Sequence, residues 1–449
     1  MPHEAVVYEG GDLVGREGAE VAFENALQGI RGIRTYKVDV AGNPVAVLSE
    51  LPPLNGYDVC LTIDADLQMA TDRIIQEVIE SSHLRGFHKA DAGAIVCIDI
   101  KSGGILASTS YPTYYPSEFT NGISVELYAQ LNDESSSYPL MNRVIAGQYP
   151  AASTFKAFSA LAGLEHGILQ GDSHFYCAGR WDYYGEAYAQ DCWIFPNGHG
   201  TLGLEEAINQ SCDIYFYNVG AAFWGRWIND DEKKDLLQDS LKTWGFGNRT
   251  GVEIPGEATG RVPTPDWKAR ALSNTPEDAQ WQGGDMTNMC IGQGYILVTP
   301  MQLANGYAGI ARRKMVKPHF FHKVLNDDGV AIIEAKPEEY EVQPLINESY
   351  IARVEDGLMR VAWRMGGGFN YIPVTIAAKS GTAEMPPRDD YSWFVAYAPV
   401  EDPQYCVACV VEQAGDGSSA AVLGVQHTLA AIYHVDLGDI IVEQGSRER

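Results

Sequence analysis

Strand-like segments stand towards both ends of this 449-residue sequence, and the middle between them is rich in helix and loop signals. Gly93-Ala94-Ile95-Val96-Cys97-Ile98-Asp99-Ile100 and Gly104-Ile105-Leu106-Ala107-Ser108-Thr109 are short apolar runs linked by the polar turn Lys101-Ser102-Gly103, the pattern of a hairpin. Near the other end, Val374-Thr375-Ile376-Ala377-Ala378, Trp393-Phe394-Val395-Ala396-Tyr397 and the run from Cys406 to Glu412 have the same character. If the early strands pair with the late ones, the chain forms one α+β domain around a mostly antiparallel sheet.

The rest of the pattern fits around that sheet. Residues 1–57 are rich in Gly and Pro, with one helical stretch from Glu17 to Leu27 and two strands between Arg34 and Leu48 about a Gly42-Asn43-Pro44 turn. A strand at Val59–Ile63 precedes a helix from Ala65 to about Ser81, capped by Asp64. Helices are expected around 152–165, 203–223, 348–361 and 420–432. Another runs from Thr299 to Ala311, with Thr299 as N-cap and Pro300 at its first position. Residues 170–200 are irregular and rich in Gly, Trp and Tyr, residues 246–285 read as loop, and Gly366-Gly367-Gly368 as a flexible turn. Asn229 to Asp235 is a charge run, the signature of a solvated face.

Charge narrows the partners. A formal net charge of −27 argues against binding to nucleic acid or anionic lipid through a broad basic surface. No run of 18 or more apolar residues is present, so nothing reads as a membrane span. Met1-Pro2-His3-Glu4 opens without a signal peptide; taken literally the chain is cytosolic, and a chain cut from a longer one reads the same way. Eight cysteines in this length do not make a disulfide scaffold.

The chemistry centres on Ser153, three residues before Lys156 in Tyr149-Pro150-Ala151-Ala152-Ser153-Thr154-Phe155-Lys156. In a helix these two share a face. A Ser hydroxyl attacks only when a base takes its proton, and a desolvated neutral Lys can be that base. Ser153 falls in the first helical turn, where unpaired N–H groups favour developing negative charge. Ser211-Cys212-Asp213 supplies a second hydroxyl to relay a proton, and a carboxylate to hold Lys156 or orient substrate; alone, the same residues also read as helix caps. Lys379-Ser380-Gly381-Thr382 follows the strand 374–378. There a cation can bind a substrate carboxylate, Gly381 lets substrate approach, and a backbone N–H near Thr382 can serve as an oxyanion donor. Lys101-Ser102-Gly103-Gly104 is a second Lys-Ser-Gly, read as a hairpin turn, so the order of all three motifs carries the inference.

Those motifs, in that order, are the ones found in penicillin-binding proteins and serine β-lactamases. Leu61-Thr62-Ile63-Asp64-Ala65-Asp66-Leu67-Gln68 resembles the opening of the transpeptidase domain of class B penicillin-binding proteins. Asn142-Arg143-Val144-Ile145-Ala146-Gly147-Gln148-Tyr149-Pro150 resembles their lead-in to the nucleophile. Ile291-Gly292-Gln293-Gly294-Tyr295-Ile296-Leu297-Val298-Thr299-Pro300-Met301-Gln302-Leu303-Ala304 and Trp393-Phe394-Val395-Ala396-Tyr397-Ala398-Pro399 resemble two further signatures. The likeness is closest to the elongation-type members, where Asp commonly stands at the Asp213 position. Ala152 departs from the usual Gly before the nucleophile, a change expected to be tolerated at a helix start.

The resemblance implies a β-lactamase/transpeptidase-like α+β fold: an antiparallel sheet with flanking helices and a mainly helical subdomain over residues 58–449. Residues 1–57 resemble the tail of an N-terminal pedestal, through Gly15-Arg16-Glu17-Gly18-Ala19-Glu20. Family members carry a membrane anchor before it, which implies that this chain is truncated and soluble, and that the full-length protein sits at the extracytoplasmic face of the cell membrane. The implied reaction is D,D-transpeptidation of peptidoglycan stem peptides through a Ser153 acyl-enzyme with release of D-Ala, blocked by β-lactam antibiotics. The implied catalytic residues are Ser153, Lys156, Ser211, Asp213 and Lys379, with Ser380, Gly381 and Thr382 binding substrate. A glycosyltransferase is the implied partner. The alternatives are a serine β-lactamase or β-lactam sensor on the same fold, and a catalytically silent scaffold of a wall-building complex.

No cofactor is required for that chemistry. Cys177, Cys192, His199 and Cys212 form a set of three thiols and an imidazole suited to structural zinc, with spacings unlike a compact finger. Gly198-His199-Gly200 resembles a segment in elongation-type relatives, some of which bind zinc. Buried or disulfide-paired cysteines are the alternative. Cys406 and Cys409, three apart in a strand, point to opposite faces and are read as core.

Overall fold

The computed structural model describes residues 8, 10–120, 122–230 and 234–441. It opens with α1 (Gly18–Leu27) and a hairpin of β1 (Ile33–Val38) and β2 (Pro44–Leu51) whose side chains are all exposed. β3 (Asp58–Leu61) leads into α2 (Ala65–Leu84). The Asp64 carboxylate accepts from the Leu67 N–H at 3.0 Å, filling one of the donors a helix start leaves unpaired.

β4 (Gly93–Asp99) and β5 (Ile105–Tyr111) form the expected hairpin. The helical middle follows, with α3 (Lys156–Glu165), α4 (Leu204–Asn209), α5 (Asp213–Asn229), α6 (Pro265–Ala271) and α7 (Pro300–Arg312) among its helices. After β6 (Phe321–Leu325), β7 (Ala331–Glu334) and α8 (Glu348–Met365), the chain returns to the sheet as β8 (Ala377–Ala383), β9 (Tyr391–Ala398) and β10 (Tyr405–Val411). α9 (Ala421–Ile432) closes the fold.

The sheet runs β8-β9-β10-β4-β5, antiparallel throughout. Early and late strands meet at the β10–β4 seam, where Val407 pairs with Cys97. Both faces are covered, which explains why β4 reads as a continuous apolar run. On one face Ile95, Cys97, Val407 and Cys409 pack with Ile75 and Val78 of α2 and Val425 of α9. On the other, Ala94, Val96, Ile98, Cys406 and Val410 join Phe155, Phe158 of α3 and Tyr307 of α7. Cys406 and Cys409 thus fall on opposite faces. Each aliphatic side chain removed from water here contributes about 1.5–3 kcal/mol. No described helix is long and apolar enough to cross a membrane.

Four local expectations differ from the structure. The helix expected over 203–223 is two helices, broken at Gln210–Cys212, where Ser211 takes a positive φ of 53°. The Lys379 motif lies inside β8 rather than after a strand at 374–378, because the ladder with β9 begins at Ala377↔Tyr397 and runs to Ala383↔Tyr391. The 246–285 loop contains α6, started by Pro265 and capped by Thr264, whose hydroxyl accepts from Trp267 N–H at 3.1 Å. Gly367–Tyr371 forms a 3-10 turn after α8. The β6–β7 hairpin and the pairing of β6 with β3 had no strong signal in the sequence. Of the charge run 229–235, residues 231–233 lie outside the described residues.

Candidate active site

Ser153 sits half-buried in a 3-10 turn, Ala152–Phe155, that opens into α3. The turn is held from several sides. Tyr149 exchanges backbone hydrogen bonds with Val298 (3.0 and 2.8 Å), and Ala152 N–H donates to Gly292 O at 2.7 Å. Trp393 Nε1 donates to Pro150 O at 3.1 Å, and Tyr307 OH to Thr154 O at 2.6 Å. Ala152 has a φ of +50°, so it is not an ordinary helix-start residue. The left-handed conformation costs a non-Gly residue about 1–2 kcal/mol, which gives the usual Gly here a physical reason.

Lys156 and Lys379 are both fully buried and converge on Ser211. Lys156 Nζ lies 2.8 Å from Ser211 O, 3.4 Å from Ser211 Oγ and 2.7 Å from Asp213 Oδ1. Lys379 Nζ donates to Ser211 Oγ at 2.9 Å and to Ser380 O at 3.0 Å. With the Nζ atoms of both lysines facing the Ser211 hydroxyl oxygen, the Ser211 proton is left to point elsewhere. Burial, then Lys156 and Arg364, hold Lys379 well below the ordinary Lys value. The Ser153 hydroxyl has no hydrogen-bond partner among the described residues; Lys156 is directed at Asp213 and Ser211 instead. Removing one member of a buried ion pair such as Lys156–Asp213 costs about 3–5 kcal/mol.

Asp213 is the first residue of α5, and its second carboxylate oxygen accepts from Trp193 N–H at 3.0 Å. β8 is the edge strand of the sheet. Thr382 O accepts from Gln293 Nε2 at 3.2 Å, so that carbonyl, and the N–H of the same residue, face away from β9. Gly381 lies against the nucleophile turn: a Cβ there would sit 3.0 Å from Thr154 Cγ2 and 3.2 Å from Thr154 N. Ser380 and Thr382 are half-buried along that edge. Lys101, in the other Lys-Ser-Gly, is exposed and pairs with Asp402, far from this cluster in role and environment.

A cleft of about 810 Å³ adjoins the turn, lined by Pro150, Tyr217, Gln293, Glu384 and Met385 among others. Behind the site, Arg143 and Tyr149 both reach Glu412 Oε1, at 2.8 and 2.9 Å. Sequence reasoning missed Glu384, Trp193, Gln293 and Glu412 as site residues. The signal for Gln293 was available: it stands between Gly292 and Gly294, both at positive φ, in a tight turn.

Cys177, Cys192, His199 and Cys212 bring their donor atoms within 4.8 Å of one another, and all eight cysteines are free thiols. His199 Nδ1 lies 3.4 Å from Cys177 Sγ and 3.6 Å from Cys192 Sγ. A zinc tetrahedron with Zn–S bonds of about 2.3 Å has edges of roughly 3.7 Å, so the set fits. His199 Nε2 is buried without a partner. The hydrogen bond from Cys212 holds the Cys192 thiol below its ordinary value, while Cys212 is pushed up.

Residues 93–427 match the penicillin binding protein transpeptidase domain, and residues 2–61 the penicillin-binding protein dimerisation domain. The chain is 31% identical over 447 residues to the peptidoglycan D,D-transpeptidase MrdA of Escherichia coli (strain K12), covering 95% of this chain and 65% of that protein's length. Among solved structures, Pseudomonas aeruginosa PBP2 in complex with WCK 5153 superposes with a TM-score of 0.75 at 29% identity, over 97% of this chain and 85% of that one. Helicobacter pylori PBP2, solved in complex with MreC, superposes with a TM-score of 0.76 at 27% identity, over 94% and 72%. A buried Lys–Ser–Lys cluster beside an open strand edge, with a family match across three quarters of its length, places this chain in the penicillin-binding protein transpeptidase family.

Proposed function

We propose that this chain is a peptidoglycan D,D-transpeptidase that works through a Ser153 acyl-enzyme. One observation carries the reading: two buried lysines meet on the Ser211 hydroxyl beside Ser153 and the unpaired edge of β8. A stem peptide adds to that edge as a strand, with its terminal carboxylate towards Lys379. Lys156, in its neutral form, takes the Ser153 proton as Oγ attacks the D-Ala–D-Ala carbonyl. The N–H groups of Ser153 and Thr382 stabilise the oxyanion. The tetrahedral intermediate collapses, the C–N bond breaks, and D-Ala leaves with a proton relayed through Ser211. Asp213 positions Lys156. An amine of a second stem then attacks the ester, forming the cross-link amide and freeing Ser153. A β-lactam acylates the same oxygen and stays.

Residues 1–57 belong to the pedestal and 58–449 to the transpeptidase domain in this reading, supported by the matches over 2–61 and 93–427. A place at the extracytoplasmic membrane face and a glycosyltransferase partner for the full-length protein belong to the same reading; a similar solved structure is of a peptidoglycan synthase complex that coordinates polymerization and crosslinking. Cys177, Cys192, His199 and Cys212 would hold a structural zinc that fixes the Ser211 loop against the 192–193 segment; the chemistry itself needs no metal.

Incubation with a labelled penicillin is expected to give a mass adduct on Ser153, absent in Ser153→Ala. No adduct on folded protein, or an adduct that survives the substitution, would sink the reading. Turnover of that adduct in seconds would make the protein a β-lactamase. Purified protein holding less than about half an equivalent of zinc would count against the metal.

A further inference from the structure

The cleft beside Ser153 has an electrical polarity that the acylation chemistry leaves unused. Lys156, Lys379 and Arg364 supply positive charge around Ser211. The cleft lined by Pro150, Gln293 and Met385 carries carboxylates instead, Asp191 and Glu384. Asp191 is paired with Arg180 at 3.0 Å. Glu384 has no hydrogen-bond or ion-pair partner among the described residues. It follows β8 directly, at the head of the loop to β9.

Tyr217, from α5, lines the same cleft. It is 5% exposed, yet its hydroxyl also has no hydrogen-bond partner among the described residues. Its ring packs on Trp181, with centroids 5.4 Å apart, so the side chain is fixed. Burial, then the Asp213 and Glu384 carboxylates, hold the Tyr217 phenol above its ordinary value, so the ring stands within electrostatic reach of both the catalytic cluster and the cleft carboxylate. A phenol oxygen open to the cleft and an exposed, unpaired carboxylate on the same wall suit a ligand with several N–H donors and a positive charge.

We propose that Glu384 and Tyr217 form the acceptor subsite, binding the protonated primary amine of the incoming stem peptide before it attacks the Ser153 ester. This rests on the transpeptidase reading above. Both residues bind rather than react. The ammonium donates to the Glu384 carboxylate and the Tyr217 oxygen and releases one proton to solvent at the open cleft. The free amine then attacks the ester from the side opposite Lys379, and its second proton passes by way of Lys156 to Ser153 Oγ as the C–O bond breaks.

The test is the fate of the acyl-enzyme. The full chain is acylated with a thioester analogue of an N-acyl-D-Ala–D-Ala donor, and the products of aminolysis and hydrolysis are counted. Two nucleophiles compete with water: a peptide carrying a lysine-like side-chain amine, and hydroxylamine, which is neutral near neutral pH. Glu384→Gln is expected to lower the aminolysis-to-hydrolysis ratio for the peptide amine by about tenfold or more, the size of a lost charge-assisted hydrogen bond. Tyr217→Phe lowers it by about threefold or more. The hydroxylamine ratio stays put in both, and Glu384→Asp restores most of the peptide-amine ratio. A ratio unchanged in both variants, or one that falls equally for both nucleophiles, overturns the acceptor subsite and leaves the transpeptidase reading standing. Failure of the unsubstituted protein to acylate at all overturns both.

Discussion

Gly381→Ala tests whether the strand and the nucleophile turn are held in rigid contact. The added methyl would lie 3.0 Å from Thr154 Cγ2, 3.2 Å from Thr154 N and 3.3 Å from Ala151 O. Carbon atoms at rest in a core sit about 3.5–4.0 Å apart, so the overlap is roughly half an ångström. Neither side yields easily. β8 is registered against β9 along its whole length, and the turn is pinned by Gly292, Trp393 and Tyr307. Such overpacking costs about 1–3 kcal/mol, which in a chain of this length lowers the melting midpoint by about 1–3 °C. A shift of a few tenths of an ångström at Ser153 slows acylation by about tenfold, given that about 1 Å costs a hundredfold. The assay is the second-order acylation rate with a fluorescent penicillin, alongside thermal melting. Thr154→Ser removes the nearest methyl while keeping the hydroxyl that donates to Ala151 O, so the double variant should recover much of the lost rate. An acylation rate within about twofold of the unsubstituted protein, or no recovery in the double variant, would refute the crowding argument.

Three other outcomes follow from the geometry. Ala152→Gly releases the left-handed Ala and raises the midpoint slightly, by about 1–2 °C after the gain in unfolded-chain freedom is subtracted; a drop would contradict the strain at φ +50°. Lys379→Met abolishes acylation but stabilises the fold. Because burial holds Lys379 well below 10.5, the unfolded chain binds the extra proton between that depressed value and 10.5, and the native protein gains stability as pH rises through that window. The advantage of the Met variant should therefore shrink towards pH 10.5 in melting curves, and one that grows would reverse the sign. His199→Ala is expected to leave less than about half an equivalent of zinc and to open Cys192 and Cys212 to a thiol reagent; unchanged metal content would remove His199 from the ligand set.

The sheet was legible because its strands are buried on both faces, so β4, β9 and β10 stand out as apolar runs. The Thr299-Pro300 start was legible because local capping decides it, and the structure adds Gln302 as the reciprocal partner. β8 was misplaced because its register depends on β9, and Ala377-Ala378 followed by a polar motif lacks the branched residues that drew attention to 374–376. The break at Ser211 left no trace because a positive φ there is imposed by tertiary contacts rather than announced by Gly. The Ser153–Lys156 spacing correctly indicates one helical start, but the direction of Lys156 Nζ is set by residues 55 and 57 positions away. Glu384 and Tyr217 carry no motif; only the cavity and the missing partners single them out.

The β10–β4 seam acts as a clasp on a loop of roughly 300 residues that contains most of the helical middle. The entropy of closing such a loop grows only with the logarithm of its length, so doubling it adds about 0.6 kcal/mol. Segments within it, such as the aromatic-rich stretch carrying Cys177, Cys192 and His199, can therefore lengthen or shorten with little thermodynamic penalty as long as the clasp holds. Kinetically the same feature works the other way. β4 emerges early from the ribosome and can pair with β5, but its other edge has no partner until β10 follows, so the two-sided core and the Lys379 side of the site assemble late, and a chain stopped before β10 keeps an unpaired apolar edge.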